Sequence, residues 1–415
     1  VSRAARPGPP GGATPGRIPL PVFLAIAFLS TVAPITTDLY LPSFPQLAAD
    51  FGVDETGAQL TLTASLVGIG VGQLILGPAS DRFGRRRPLI VGAIICCIAG
   101  AVAVFSPTLP VLIAARFVQG ATGAAGMVIG RAVIADISTG ATAARAFSLV
   151  MTIGGIAPIA GPVLGGFIAG PLGWRGALVI VFALTVGMLV VALVAIPETH
   201  PASRREHFRK RAAEDGSALR DLRSRLFIGN ALICAFAFAA LMAYVSAAPF
   251  LYQDVIGLDP AQFGLAFGAN AVALVAATFI SSRLAVRWAP RRILTLGLVI
   301  MAAAAASFAL VALTGMPAGL MALCLPLFLG GFGLVQGNAV AAAITAVPRA
   351  AGTASALIGF TQFALAGIST ATVGAGSVSL PVSLSIAFGI CLAVLLAGFA
   401  VSHQAEHGSH AGSVG

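Results

Sequence analysis

The sequence predicts an all-α integral membrane protein with twelve transmembrane helices arranged as two six-helix bundles. Three observations predict it: an apolar composition, a series of apolar runs long enough to span a bilayer, and basic residues confined to one side of those runs. Of 415 residues, 58% are hydrophobic and only 9% charged, whereas soluble domains are about 25% charged. A helix needs about 20 mainly apolar residues to cross the hydrocarbon layer.

Such runs occur at Leu20 to Leu41, Ala58 to Ala79, Pro88 to Phe105, Pro110 to Ile134, Ala146 to Ala169 and Gly173 to Ile196. After a polar break they resume at Phe227 to Phe250, Pro260 to Leu284, Ile293 to Leu313, Ala318 to Ala342, Gly352 to Val373 and Leu380 to Val401. This gives an N-terminal tail (1–19), a six-helix bundle (20–196), a central loop (197–226), a second bundle (227–401) and a C-terminal tail (402–415).

Lys and Arg near span ends resist translocation, so their distribution sets the orientation. All of them except Arg116 and Arg175 fall in the tails or loops of one side, including Arg82, Arg85, Arg86 and Arg87. Asp50, Asp54, Glu55, Asp254 and Asp259 lie on the other. Both termini are therefore expected in the cytoplasm. The net charge of +10 lacks the interleaved aromatics of a nucleic-acid surface. Anchoring against anionic lipid headgroups accounts for it, and no nucleic-acid partner is expected. The N-terminal apolar run is too long for a secretory signal and lacks a small-residue cleavage site, so it is expected to be retained. With 23 Arg and one Lys, the composition suggests a GC-rich bacterial genome and hence a bacterial cytoplasmic (inner) membrane.

The five cysteines all fall inside spans, where they act as small apolar residues. Their scatter fits no metal-ligand spacing, and no metal or cofactor is expected. The only Lys, Lys210, follows Arg209, which leaves no Gly-Lys phosphate loop and excludes ATP-driven pumping by this chain. His403, His407 and His410 share a helical spacing in a tail expected to be solvated. No His, Cys and acid cluster converges within the spans, so an enzyme is not expected. A channel would need rings of like groups from an assembly, whereas two bundles in one chain predict a functional monomer.

Four segments carry chemistry. GPASDRFGRRRPL, from Gly77 to Leu89, joins the second and third spans; Gly77 and Gly84 allow close approach and a tight turn. Asp81 is an acid expected beside a helix N-terminus, and VRWAPRR from Val286 repeats the loop faintly in the second half. LIAARFVQGATGAA from Leu112 puts Arg116 inside the fourth span, with Gln119, Gly120 and Gly123 making one narrow polar face. Arg116 lies six residues in from Pro110, about 9 Å at about 1.5 Å per residue. GGIAPIAGPVLGGF in the fifth span combines Gly155, Gly161, Gly165 and Gly166, a small-residue packing face, with Pro158 and Pro162, which introduce bends. Asp38 in TDLYLPSFP is the one acid placed well within a span; Ser30, Thr31, Pro34 and Asp38 share a face, and Pro34 is the expected bend. A carboxylate in a pocket holds a proton or a cationic group, and a nearby Arg116 would lower its proton affinity. Asp38 and Arg116 are therefore the candidate proton-coupling pair.

The Gly77 to Leu89 loop resembles the signature loop of the major facilitator superfamily, departing from it at Ala79, where Leu is usual. The resemblance implies parallel six-helix halves with a substrate site between them. It also implies a cytoplasmic gate built from Gly77, Asp81, Arg82, Gly84, Arg85 and Arg86, with Arg85 paired to Asp136 at the end of the fourth span. The segments at Arg116 and at Gly155 to Gly166 are similar to motifs of drug/proton antiporters, the latter being characteristic of antiporters. TDLYLP, PETH from Pro197, and the segments from Ala243 and Pro348 resemble the bicyclomycin and chloramphenicol resistance group. Tyr244, Asn270, Gln336, Asn338 and Gln362, with Ser30, Thr31 and Gln119, are the polar residues expected near a substrate cavity. The resemblance implies proton-driven efflux of small apolar or amphipathic, drug-like compounds. The alternative is a proton-coupled exporter or importer of an endogenous metabolite on the same fold.

Overall fold

The computed structural model describes residues 18–138, 140–201, 222–347, 351–374 and 378–411. Among them the chain is helical, and eleven runs are long and apolar enough to cross a membrane. The count reaches twelve spans because the fifth and sixth form one helical run.

Helix α1 (Leu20–Asp38) is followed by a 3-10 turn (Leu41–Ser43) and a short α2 (Phe44–Phe51). The second to fourth spans are α3 (Glu55–Phe83), α4 (Arg86–Val104) and α5 (Leu109–Ile137). Helix α6 (Gly140–Val194) supplies the fifth and sixth, broken only at Gly173, whose φ of 62° no other residue type adopts readily. Pro158, Pro162 and Pro171 all lie inside this run, and its one departure from helical backbone is the turn at Gly173. The second half comprises α7 (Arg225–Phe250), α8 (Pro260–Leu284), α9 (Pro290–Thr314), α10 (Gly319–Thr345), α11 (Ala351–Gly374) and α12 (Leu380–Ala411). A π-helical turn (Leu251–Val255) extends α7. The last helix continues past Val401 into the expected tail; His403 lies on it, and the side chains of 405–411 are outside the described residues.

The acids of one end have structural work. Asp54 caps α3, accepting from the Gly57 amide at 3.0 Å. Asp259 and Gln262 form a reciprocal capping box at α8. Asp50 accepts from the Trp174 indole at 2.7 Å, tying α2 to the turn at Gly173. We call this the acidic end, and the end carrying Arg82 to Arg87 the basic end. Most of the central loop (202–221), the first 17 residues and Arg349 lie outside the described residues.

Helices α1 to α6 pack into one bundle and α7 to α12 into another; α3 meets α11 and α6 meets α8 across the interface. Small residues make the close crossings. At α3 and α5, a Cβ on Gly72 would land on the Ala121 carbonyl, and one on Gly120 on that of Ser65. At α6 and α8, a Cβ on Gly166 would stand 2.5 Å from the Pro260 oxygen, and one on Gly264 2.6 Å from that of Pro162. In lipid such backbone proximity drives helix association, because burial of apolar surface gains little there.

Hydrogen bonds join the halves on the acidic side. Gln253 Nε2 donates to the Pro42 carbonyl (2.9 Å), Thr56 Oγ1 to that of Gly374 (2.6 Å), and the Thr63 and Thr370 hydroxyls pair at 2.7 Å. At the basic end, Gly77 has no atom within 4 Å of where a Cβ would stand. The close approach expected of Gly77 is therefore not made in this conformation, which is closed at the acidic end and parted at the basic one.

Gly72→Val should lower the thermal midpoint of the detergent-solubilised protein by several degrees, a loss of about 1–3 kcal/mol from overpacking. Gly77→Ala should leave it unchanged, and equal effects of the two would contradict the assigned crossings.

Candidate functional site: a cavity between the halves

A cavity of about 210 Å³ lies between the bundles. Its walls are mainly apolar and aromatic: Met127 of α5, Phe238, Leu241 and Met242 of α7, Phe267 of α8 and Phe363 of α11. Phe238 and Phe363 meet edge to face at 5.1 Å, so the two helices of the second half present a joint aromatic wall. Among the described residues, Asp38 is the one charged residue on the lining.

Asp38 is the last residue of α1, not a residue well inside a helix. It still lies inside the first run long and apolar enough to cross a membrane, Leu20–Phe51, which continues through buried Leu39, Tyr40 and Leu41. Thr37 Oγ1 stands 3.1 Å from Asp38 Oδ1. A Cβ on Gly161 would sit 3.0 Å from the Asp38 Cβ, so the glycine face of α6 is what admits the acid to this position. Gly165 of the same face packs on the Leu39 carbonyl. Thus Gly161, Pro162, Gly165 and Gly166 serve two contacts, α1 on one side and α8 on the other. Gly155 lies in helical backbone, and its surroundings are outside the described residues.

Arg116 is 1% exposed. Its Nη1 donates to Gln119 Oε1 (2.6 Å), its Nη2 to the Thr36 carbonyl (2.8 Å), and the guanidinium lies 4.3 Å from the Tyr40 ring centroid. A charged hydrogen bond contributes about 1.5–3 kcal/mol and a desolvated cation–π contact about 2 kcal/mol, which offsets part of the cost of burying the charge. Arg116 makes no ion pair with Asp38. The Thr36 carbonyl takes the guanidinium instead, because that carbonyl lost its helical partner where α1 ends.

The polar residues expected near the cavity divide. Tyr244 lines it, stacked on Phe267 at 5.5 Å. Asn270 stands behind, donating to the hydroxyls of Tyr244 and Tyr252, each at 2.8 Å. Gln119 belongs with Arg116. Ser30 and Thr31 turn back to the carbonyls of Ile26 and Phe28 and line no part of the cavity. Asn338 bridges α10 to Ser281 of α8, and Gln362 reaches the Cys234 carbonyl on α7, so both join helices. Gln336 is also absent from the lining.

At the basic end, Arg85 Nε donates to Asp136 Oδ2 at 2.9 Å, and Nη1 to Ser80 and Asp81 at 2.8 and 2.5 Å. Burial works against its charge, but hydrogen bonds and Coulomb attraction from Asp136 and Asp81 outweigh that, so the guanidinium holds its proton more tightly than usual. The acid at a helix N-terminus is Glu198, not Asp81. Its carboxylate accepts from the amides of Arg85 (2.9 Å) and Arg86 (3.2 Å), opening α4. Thr199 adds a hydrogen bond to Asp136 at 3.0 Å. Gly84 has a φ of 90°, a backbone conformation that favours glycine, and a Cβ there would stand 2.5 Å from the Glu198 carboxylate. Asp81 is 66% exposed at the parted mouth, and Arg82 lies over the Phe83 ring. Arg86 reaches the Leu193 carbonyl at 2.7 Å. The sequence signal for Glu198 was the PETH segment, four residues whose partner is more than a hundred positions away.

Comparison with known proteins agrees with this architecture. The family model of the Major Facilitator Superfamily matches residues 26–371. An uncharacterized MFS-type transporter, YdgK of Bacillus subtilis, is 34% identical over 85% of this chain and 89% of its own length. A bicyclomycin resistance protein homolog of Haemophilus influenzae is 31% identical, covering 89% of this chain and 93% of its own. The multidrug resistance protein MdtL of Klebsiella pneumoniae is 26% identical, covering 90% and 94%. Among solved structures, a D-xylose-proton symporter superposes with a TM-score of 0.75 at 16% identity, covering 92% of this chain and 96% of the symporter. An inward-facing bacterial homolog of the human lysosomal transporter Spinster gives 0.72 at 15%, covering 94% and 98%. The chain belongs to the major facilitator superfamily, a family of membrane transporters.

Proposed function

We propose that this protein is a proton-coupled antiporter that exports small apolar or amphipathic, drug-like compounds from a bacterial cell by alternating access. The observation that carries the proposal is Asp38, among the described residues the single charged one on the wall of a mainly apolar cavity between the halves. Such a carboxyl holds either a proton or a cationic group of a substrate, and that exclusion is what exchange requires. The relatives named for bicyclomycin and multidrug resistance support the substrate class. The protein works as a monomer in the cytoplasmic membrane, with the basic end and both termini in the cytoplasm.

In this reading Asp38 takes a proton when the cavity faces outward and gives it up inside as substrate is collected for the next cycle. The apolar wall accepts substrate without demanding particular hydrogen bonds, and pocket shape sets the choice. The Arg85 cluster is the cytoplasmic gate. In the present conformation it braces α3, α4 and α5 within one half, Asp81 included, and closure of the inner side would bring the exposed Asp81 and Gly77 against the second half.

Transport in vesicles tests both parts. Everted vesicles with an imposed pH gradient, acidic inside, should accumulate substrate, and Asp38→Asn should abolish the gradient-dependent part. Full gradient-driven uptake by Asp38→Asn would remove proton exchange at this residue, and accumulation only in right-side-out vesicles would make the protein an importer. Asp81→Asn should reduce turnover several-fold at normal expression and thermal stability; unaltered efflux would reject the gate role.

A further inference from the structure

The missing ion pair between Arg116 and Asp38 raises the question of how a buried guanidinium bears on a carboxyl it does not touch. Two donors beside it, Arg116 Nε and Gln119 Nε2, are buried and have no protein partner. Their residues are 1% and 3% exposed. Both line a second, much smaller cavity of about 10 Å³, together with Thr36, Thr37, Ser65 and Cys96. A space of about 10–15 Å³ holds one water when two to four polar partners surround it, and the residues lining this one carry two unpartnered donors, on Arg116 and Gln119, and two hydroxyls, on Ser65 and Thr37.

Thr37 lines both cavities. Its hydroxyl is 3.1 Å from Asp38 Oδ1 and 2.7 Å from the Pro34 carbonyl. One hydroxyl hydrogen serves only one of these acceptors at a time. We propose that the small cavity is a single-water site held by Arg116 and Gln119, and that this water and the Thr37 hydroxyl form the link through which Arg116 acts on Asp38. Thr37 is then a positioning residue for proton coupling. The inference rests on Asp38 carrying the exchanged proton.

The link has two settings. With Asp38 ionised, Thr37 donates to Oδ1 and accepts from the water, which is itself polarised by the guanidinium. With Asp38 protonated, the Thr37 hydrogen returns to the Pro34 carbonyl and the water loses its connection to the carboxyl. No proton passes through Thr37; the proton enters and leaves Asp38 through the larger cavity. The titratable groups around Asp38 are Tyr244 of α7 across that cavity, Tyr40 beyond the end of α1, and Cys96 of α4 and Arg116 of α5 at the small one. Helix α6 contributes Pro158 and Gly161, which do not titrate. Arg131, farther along α5, donates to the Met127 carbonyl and lines neither cavity.

Two variants isolate the link. Thr37→Val removes the hydroxyl at constant shape, with Thr37→Ser as the conservative control. Gly123→Ala adds one methyl to the small cavity, where its Cβ would meet only Cys96 Sγ, at an ordinary 3.5 Å. The readout is substrate-driven proton release from proteoliposomes as a function of pH. A hydrogen bond donated to a carboxylate favours its charged form, so losing it moves the half-maximum to higher pH, by about one unit for Thr37→Val. Gly123→Ala should move it the same way by less, and Thr37→Ser should restore the wild-type profile. Wild-type profiles for both Thr37→Val and Gly123→Ala would overturn the link. A shift in Thr37→Val alone would overturn the water site, and if Thr37→Val fails to fold, Gly123→Ala decides. Asp38→Asn separates the two levels: retained coupling there refutes the exchange reading itself, whereas lost coupling with unshifted Thr37 and Gly123 variants refutes only the link.

Discussion

The crossing of α6 and α8 is the contact on which the rest of the molecule depends. Gly166 and Gly264 lie so close that each would place a Cβ on the other helix's carbonyl oxygen. Lipid offers no hydrophobic drive toward helix association, so this backbone proximity, with the Gln253, Thr56 and Thr63 hydrogen bonds, is what holds the acidic end shut. The cavity exists because the halves are pinned at that end and parted at the other. The same glycine face admits Asp38 on its opposite side, at Gly161. One helix therefore sets both the closed end of the pathway and the position of its acid. Substitutions on that face would alter packing and chemistry together.

Charge is handled in two contrasting ways. Arg85 sits at the basic end with a serine hydroxyl and two carboxylates, one of them exposed. Arg116 is enclosed, and its contacts are neutral: an amide oxygen, a freed helix carbonyl and an aromatic ring. An enclosed charge without a counter-ion has its field little screened, so a change at Asp38 is felt there even without contact. The arrangement suits a device in which a carboxyl must gain and lose a proton within each cycle, since a direct ion pair would fix it in the charged form.

Much of the architecture was legible in the sequence because bilayer thickness and backbone hydrogen bonding leave helices few alternatives. The apolar runs gave the spans, and the Arg85 to Asp136 pair followed from family resemblance at positions the structure brings to 2.9 Å. Local breaks were harder. Pro158 and Pro162 lie inside the helical run, and the break in that run comes instead at Gly173, through a φ that its lack of a side chain permits. The cavity was legible only at its polar points. Phe238, Met242, Phe267 and Phe363 are indistinguishable in sequence from lipid-facing residues, because the same apolar chemistry serves both surfaces. Conversely, Ser30, Thr31, Asn338 and Gln362 look like a polar lining but spend their hydrogen bonds on helix carbonyls and neighbouring helices. Glu198 escaped as a cap because PETH marks the segment without revealing its partners, the Arg85 and Arg86 amides more than a hundred positions away.

The central claim is that proton and substrate exclude one another at Asp38. Proton release on substrate binding to purified protein in weakly buffered detergent solution measures that exclusion without requiring transport. Wild-type protein should release protons when a cationic substrate of the exported class is added, and Asp38→Asn should bind such a substrate poorly or without release. Equal release from Asp38→Asn would place the exchanged proton elsewhere and contradict the account.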